Sequence, residues 1–242
     1  MIVNYQEEGW QIISQRSHGL LAGQICFQWK AANRPERWVE TIIATTEHDD
    51  VFNEFNNDKV LLNENGGPVN YAMRTFDLEK CNELLSLALS KSRYVALLTA
   101  RHMRFLYENE ESKEAVKYCR ELEKLEEVWI KEAGFKNSDV TRAYEILEWC
   151  DALSLLICQQ LIQPENRKIE ISTGPDNRHY ELWSTGENEL SVSPWPFETD
   201  AFTIYYESKT LPQLKFKSVT EFRKHLETTV PQFHTYKIKK AV

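Results

Sequence analysis

The sequence predicts an α+β fold: a mainly α-helical domain over residues 1–164, followed by a smaller β-rich region over residues 165–242 that packs on it. Two observations carry this expectation. Between residues 17 and 163 apolar side chains recur every three or four positions in successive runs, the period of helices with a buried face. Beyond Pro164 the texture changes to strand-like alternation in Ile169-Glu170-Ile171, His179-Tyr180-Glu181-Leu182-Trp183 and Phe202-Thr203-Ile204-Tyr205-Tyr206, separated by Gly and Pro turns. A chain of 242 residues can bury a sizeable core.

Residues 1–15 read as one or two short strands, with Trp10-Gln11-Ile12-Ile13 foremost. Leu21, Ile25 and Trp29 recur every four residues and predict a helix over 17–32. Pro35 suits the first turn of the next helix, in which Trp38, Ile42 and Thr45 form a stripe that leads to His48 and Asp49. From 52 to 75 the pattern breaks into Asn-rich sequence containing Gly66-Gly67-Pro68, a loop long enough that it either covers a site or lacks order. Helical periodicity returns over 77–90, 93–108 and 112–133, the last strongly charged on one face. A final long helix over 138–163 buries Val140, Tyr144, Leu147, Leu155, Cys158 and Ile162 and is ended by Pro164. One short helix is expected in the β-rich part over 218–227, opened by a capping box of Ser218 and Glu221. Trp183, Trp195, Phe197 and Tyr205 are expected to pack against the helices rather than to meet a partner.

Acids outnumber bases 37 to 29, for a net charge of -8, which argues against a nucleic-acid or anionic-membrane binder because both need clustered Lys and Arg. Only Lys237-Ile238-Lys239-Lys240 is locally basic, and it reads as a solvated end. The first eight residues are acidic and contain no apolar run, so no secretion signal is expected, and no stretch of 18 apolar residues is present to span a membrane. The five cysteines, Cys26, Cys81, Cys119, Cys150 and Cys158, are widely spaced without a CxxC pair and read as reduced core thiols of a cytoplasmic protein.

Polar residues on apolar stripes carry the functional signal. His18 lies three residues before Leu21 and seven before Ile25, on the core side of its helix. Asp151 lies four residues beyond Leu147 and four before Leu155, with no basic residue three or four positions away to neutralise it. His48 and Asp49 end the stripe of the second helix, where adjacent side chains project about 100 degrees apart and reach one cation only if it lies between them. Imidazoles and carboxylates gathered in a core make a site for a divalent cation. The bland reading of His18 is a buried neutral histidine hydrogen-bonded to a carbonyl. His102, four residues after Leu98 and three before Phe105, repeats the anomaly as a second-metal or supporting histidine. Arg16, Arg101 and Arg104 stand beside these residues in sequence and would suit a phosphate-bearing substrate.

The order His18, His48-Asp49, Asp151 resembles the HD superfamily of metal-dependent phosphohydrolases, helical proteins with a His on one helix, a His-Asp pair on the next and an Asp on a later one. The resemblance covers roughly residues 10 to 163 and makes the helical domain HD-like. The whole chain also resembles an uncharacterised bacterial family of HD-like proteins, DUF3891, through Val3, Trp10, Ser17-His18, Leu21-Ala22-Gly23-Gln24, Glu47-His48-Asp49 and Val192-Ser193-Pro194-Trp195-Pro196-Phe197. That second family lends no activity.

The superfamily resemblance implies one divalent metal on His18, His48, Asp49 and Asp151, with Mn, Fe, Co or Ni suiting the mixed ligands better than Mg. It implies hydrolysis of a small phosphorylated molecule, nucleotides included, with Asp50 or Glu47 taking the proton. Two other readings stand beside it. An HD-fold di-iron oxygenase would need more histidines than His102 supplies, and a non-catalytic ligand-binding or regulatory module would use the cavity without chemistry. Substrate identity and oligomeric state have no signal in the sequence.

Overall fold

The computed structural model describes residues 1–56 and 58–241. Among them are seven α-helices and one seven-stranded sheet. The hairpin of β1 (Ile2–Gln6) and β2 (Gly9–Ile13) opens the chain. The helices α1 (Gln15–Phe27), α2 (Trp38–Thr46), α3 (Leu78–Leu89), α4 (Arg93–Tyr107), α5 (Lys113–Ala133) and α6 (Asn137–Cys158) follow. The rest comprises β3 (Ile169–Gly174), β4 (Arg178–Gly186), β5 (Glu189–Ser193), β6 (Ala201–Leu211), α7 (Val219–Thr228) and β7 (Gln232–Lys239).

The sheet order is β1-β2-β6-β7-β5-β4-β3, with β5 and β7 parallel and every other pairing antiparallel. This overturns the expected division into a mainly helical domain and a following β-rich region. The fold is mixed α/β, and its sheet takes strands from both ends of the chain. The reason is that β2 pairs Trp10–Ile12 with Leu211–Lys209 of β6, burying Ile12 and Ile13. A pairing across two hundred residues leaves no local signature in sequence. The basic stretch near the end is likewise no free tail, since Ile238 is fully buried in β7, which lies between β5 and β6.

Helices α1 and α6 lie on the sheet, where Leu21, Ile25 and Trp29 meet Trp149, Leu153 and Ile157 over Leu182, Val192, Ile204 and Ile238. The opposite side of α6, with Val140, Ala143 and Leu147, packs on α2 and α4, in a core that continues into α3 and α5. Thus α6 is enclosed between two cores, and a carboxylate on it has little water to face. Of the tail aromatics, Phe197 is fully buried against Trp29, Trp149 and Trp195, whereas Tyr205 is exposed.

Two side chains of α1 close an open edge of the sheet. At Tyr205 and Glu207 the side of β6 away from β7 has no strand beside it among the described residues. Gln24 accepts from the Tyr205 N–H at 3.1 Å and donates to its carbonyl at 2.9 Å, and Ser17 does the same for Glu207 at 3.4 and 3.3 Å. Paired backbone groups are thereby satisfied without another strand.

Helix α2 is short because six of its nine residues are β-branched, and Thr41, Thr45 and Thr46 turn their hydroxyls back to carbonyls four residues earlier. It reaches α1 closely through Gly19 and Gly23, one turn apart on the facing side of α1. A Cβ at Gly19 would collide with the Thr46 carbonyl oxygen, and one at Gly23 with the Thr46 hydroxyl. Gly19→Ala is therefore expected to push α2 away and cost about 1–3 kcal/mol, as for other overpacked contacts. Urea unfolding checks this, and an unchanged midpoint would show that α2 moves freely against α1.

Residues 52–56 and 58–76 belong to a strap tied down at several points. Tyr71 N–H donates to the Met1 carbonyl at 2.9 Å, the Phe216 N–H to the Gly66 carbonyl at 2.9 Å, and Arg223 Nε to the Glu54 carbonyl at 3.0 Å. Leu61 joins Met1, Ile12, Leu211, Phe216, Phe222 and Leu226 in a third small core. The loop contributes Phe52, Tyr71 and Arg74 to the wall of a cleft.

Candidate metal centre

Four elements converge at one end of the helical layers. His18 projects from the first turn of α1, His102 from α4 and Asp151 from α6, while His48 and Asp49 lie in the turn just past α2. The sequence pattern places the His-Asp pair on a helix, but α2 stops at Thr46. In the turn, the two side chains escape the fixed angular separation of helical neighbours and face the same point. Arg16 clips this turn to α1, with Nε 3.1 Å from Asp50 Oδ1 and further bonds to the Asp50 carbonyl.

His18 and His48 each have one nitrogen committed to an acceptor. His48 Nδ1 is 2.8 Å from the Thr45 carbonyl, one of the free acceptors at the α2 C-terminus, so that nitrogen carries the hydrogen. His18 Nδ1 is 2.7 Å from Ser154 Oγ. The one hydroxyl proton of Ser154 goes to the Asp151 carbonyl at 2.8 Å, which makes its oxygen the acceptor for His18. In their neutral forms both rings then turn an Nε2 lone pair inward. These atoms lie 3.0 Å apart, and Asp151 Oδ1 is 3.2 Å from each. Asp49 Oδ2 completes the group at 3.6 Å from His48 Nε2 and 3.8 Å from His18 Nε2, held by Gln15 Nε2 at 2.6 Å.

Four electron-rich atoms this close repel one another unless a proton or a metal cation sits among them. Asp151 Oδ1 is buried and faces both imidazole Nε2 atoms. Adjacent ligands of an octahedral ion with bonds of about 2.1 Å are about 3.0 Å apart, which matches the spacing of His18, His48 and Asp151. His18, His48 and Asp49 form one group able to hold an ion, and His48, His102 and Asp151 form another, each with its ligand atoms within 4.8 Å of one another.

Residues 1–213 match the family described as "Protein of unknown function (DUF3891)". The chain belongs to the DUF3891 family. The match spans all five of these His and Asp residues and ends before α7 and β7. No curated protein and no solved structure matches the chain. No helix among the described residues is long and apolar enough to cross a membrane.

The DUF3891 cluster lies at the bottom of a cleft of about 210 Å³ whose walls include Phe52, Tyr71 and Arg74 of the strap and Leu106 and Tyr107 of α4. Electrostatics inside it are strongly coupled. Burial works to lower the His48 pKa, but the charges of Asp151 and Asp49 outweigh it and raise the value from 6.5 to about 9. Burial likewise disfavours the Asp151 carboxylate, yet His48 and His18 hold it well below its ordinary value of 3.8. Burial, reinforced by the nearby His48 charge, lowers His102 to about 4, so His102 is a neutral ligand or hydrogen-bonding group at pH 7.

In metal-free protein, the raised His48 pKa contributes stability that is fully present below pH 6.5 and lost as pH rises through about 9. The depressed Asp151 pKa contributes stability present above 3.8 and lost as pH falls below it. A metal must displace the His48 proton, so its apparent affinity is expected to rise about tenfold per pH unit between roughly pH 7 and pH 8 and to level off near 9. Mn²⁺ titration against a chromophoric chelator measures the slope, and a flat profile would mean that no His48 proton is displaced.

The other expected site residues lie elsewhere. Arg101 spends its guanidinium on Glu126, Thr141 and Asn137, and Arg104 spends its own on Glu126 and Glu123. Asp50 pairs with Arg16, and Glu47 with Lys91 at 2.8 Å. None of these residues lines the cleft. Gln15, Tyr71, Arg74 and Ser154 are the side chains that sequence reasoning missed. Spacing carried part of the signal: Gln15 precedes His18 by one turn, and Ser154 follows Asp151 by one turn.

Proposed function

We propose that this protein is a metal-dependent hydrolase of a small phosphoester, with one divalent ion held by His18, His48, Asp49 and Asp151. The observation that carries the reading is the meeting of two imidazole Nε2 atoms and a buried carboxylate oxygen at 3.0–3.2 Å, with both Nδ1 atoms already committed. The ligand order is the one that, by resemblance to the HD superfamily, implies phosphoester hydrolysis. Mixed nitrogen and oxygen donors favour Mn, Fe, Co or Ni, with Mg a weaker fit.

A bound ion would polarise a phosphoryl oxygen and acidify a coordinated water. The protein's own groups prepare the site. Thr45 and Ser154 fix the imidazole tautomers, and Gln15 orients Asp49 while leaving its own buried Oε1 without a partner at the cleft wall. That oxygen can accept a proton donor from water or substrate. In the balanced reaction, water oxygen bonds to phosphorus as the phosphorus–oxygen ester bond breaks. The released alcohol oxygen keeps the electron pair and takes up the proton lost by water.

Chelator-stripped protein reloaded with one metal at a time, assayed on p-nitrophenyl phosphate, tests the proposal. Hydrolysis should disappear on stripping and return as bound metal approaches one per chain. Stoichiometric metal without hydrolysis of any phosphoester would leave a binding module. The di-iron oxygenase reading draws on the grouping of His102 with His48 and Asp151. It predicts two redox-active irons per chain.

A further inference from the structure

We infer, building on the hydrolase reading, that the cleft selects a phosphomonoester of a ring-bearing, apolar alcohol and turns away polyphosphates. Among the described residues that line the cleft, Arg74 is the only Lys or Arg. Its charge is already matched by Asp58, which is 1 % exposed and pairs with both Arg74 terminal nitrogens. Asp49 and Asp151 would balance a divalent ion, and Glu110 adds a further carboxylate to the lining. One phosphoryl group can bind the ion directly, but a second would bring charge that no free cation offsets. Arg16, Arg101 and Arg104 are all engaged away from the cleft.

The walls supply the other half of the selectivity. Phe52, Tyr71, Tyr107, Leu106 and Leu155 present aromatic and aliphatic surface beside the metal ligands. The Arg74 guanidinium lies over the Phe52 ring, 4.6 Å from its centre. Tyr71 accepts from Gln159 Nε2 at 3.0 Å, which leaves its own O–H free to donate. A planar apolar group would bury its faces between these side chains, an interaction unavailable to inorganic phosphate or pyrophosphate.

Calorimetric titration of the metal-loaded protein with inorganic phosphate, phenyl phosphate and pyrophosphate tests the inference, with bound metal counted after each run. Phenyl phosphate should bind about tenfold or more tighter than either of the others. Leu106→Lys, at a 46 % exposed position where folding is not at stake, adds the missing cation and should reverse the preference toward pyrophosphate. Pyrophosphate binding as tightly as phenyl phosphate to the unaltered protein overturns the inference, and with the metal retained it leaves the hydrolase reading standing. Absence of binding by all three with metal in place also overturns it. A protein that takes up no metal removes both.

Discussion

Asp151→Asn is expected to strip the protein of its metal while leaving it folded. The residue is 8 % exposed on α6, with its Oδ1 shared between two imidazole nitrogens at 3.2 Å. Asparagine keeps the shape and removes the charge. The purified variant should then carry less than about a tenth of an equivalent where the parent carries about one, because a neutral amide is a poor replacement for a carboxylate ligand. The fold tolerates this because removing Asp151 takes away a buried anion and, with it, the main attraction that keeps His48 protonated. With the imidazole neutral, no uncompensated charge is stranded, and the metal-free variant should differ from metal-free parent by no more than about 2 kcal/mol. Elemental analysis and thermal unfolding decide the matter together. Undiminished metal in the variant would exclude Asp151 as a ligand, while an unfolded variant of a parent that never held metal would make it a structural acid.

The parts of this site that could be read from sequence are those where one residue contradicts its neighbours. Asp151 and His18 interrupt apolar helical stripes, and the cost of burying an unpartnered polar group makes such interruptions conspicuous. His48 and Asp49 were visible as residues, but their geometry was not, since the early end of α2 follows from β-branched crowding and threonine back-bonding that periodicity does not register. The arginines point elsewhere for another reason. Sequence adjacency to a ligand says nothing about which carboxylate a long side chain finds, and Glu126 of α5 claims both Arg101 and Arg104. Arg74 reaches the cleft from an irregular strap, where no repeat marks the position.

The sheet was the larger loss. Strand β7, Gln232-Phe233-His234-Thr235-Tyr236-Lys237-Ile238-Lys239, carries few apolar residues although it lies in the middle of the sheet, and only Ile238 is fully buried. Alternation therefore undersells it. The hairpin at the start of the chain reads as strands, but nothing local tells that it pairs with β6. Conversely, the Ser17 and Gln24 positions of α1 acquire a meaning only in three dimensions, as substitutes for a missing strand beside Tyr205 and Glu207.

A chain ending at residue 213, which contains everything the DUF3891 match covers, is expected not to fold. Removing 214–242 deletes β7, which is hydrogen-bonded to β6 along Ala201–Ser208 and joins β5 on its other side. The sheet then falls into β1-β2-β6 and β5-β4-β3, each with a bare edge, the arrangement that invites pairing with other chains. The same cut removes Phe222 and Leu226 from the core beneath the strap, together with the Arg223 bonds to the Glu54 and Asp58 carbonyls. Two losses at once, of the central strand and of the clamp over the cleft, exceed the few kcal/mol by which domains of this size are stable. The fragment should aggregate on expression and show no cooperative unfolding transition. Arg223→Ala separates the two effects: it should leave the sheet intact and the protein soluble while loosening the strap, seen as faster amide exchange over residues 58–74. A soluble, cooperatively unfolding fragment that still retains metal would show instead that β5 and β6 close on each other and that the helical layers hold the centre without help from the final strand.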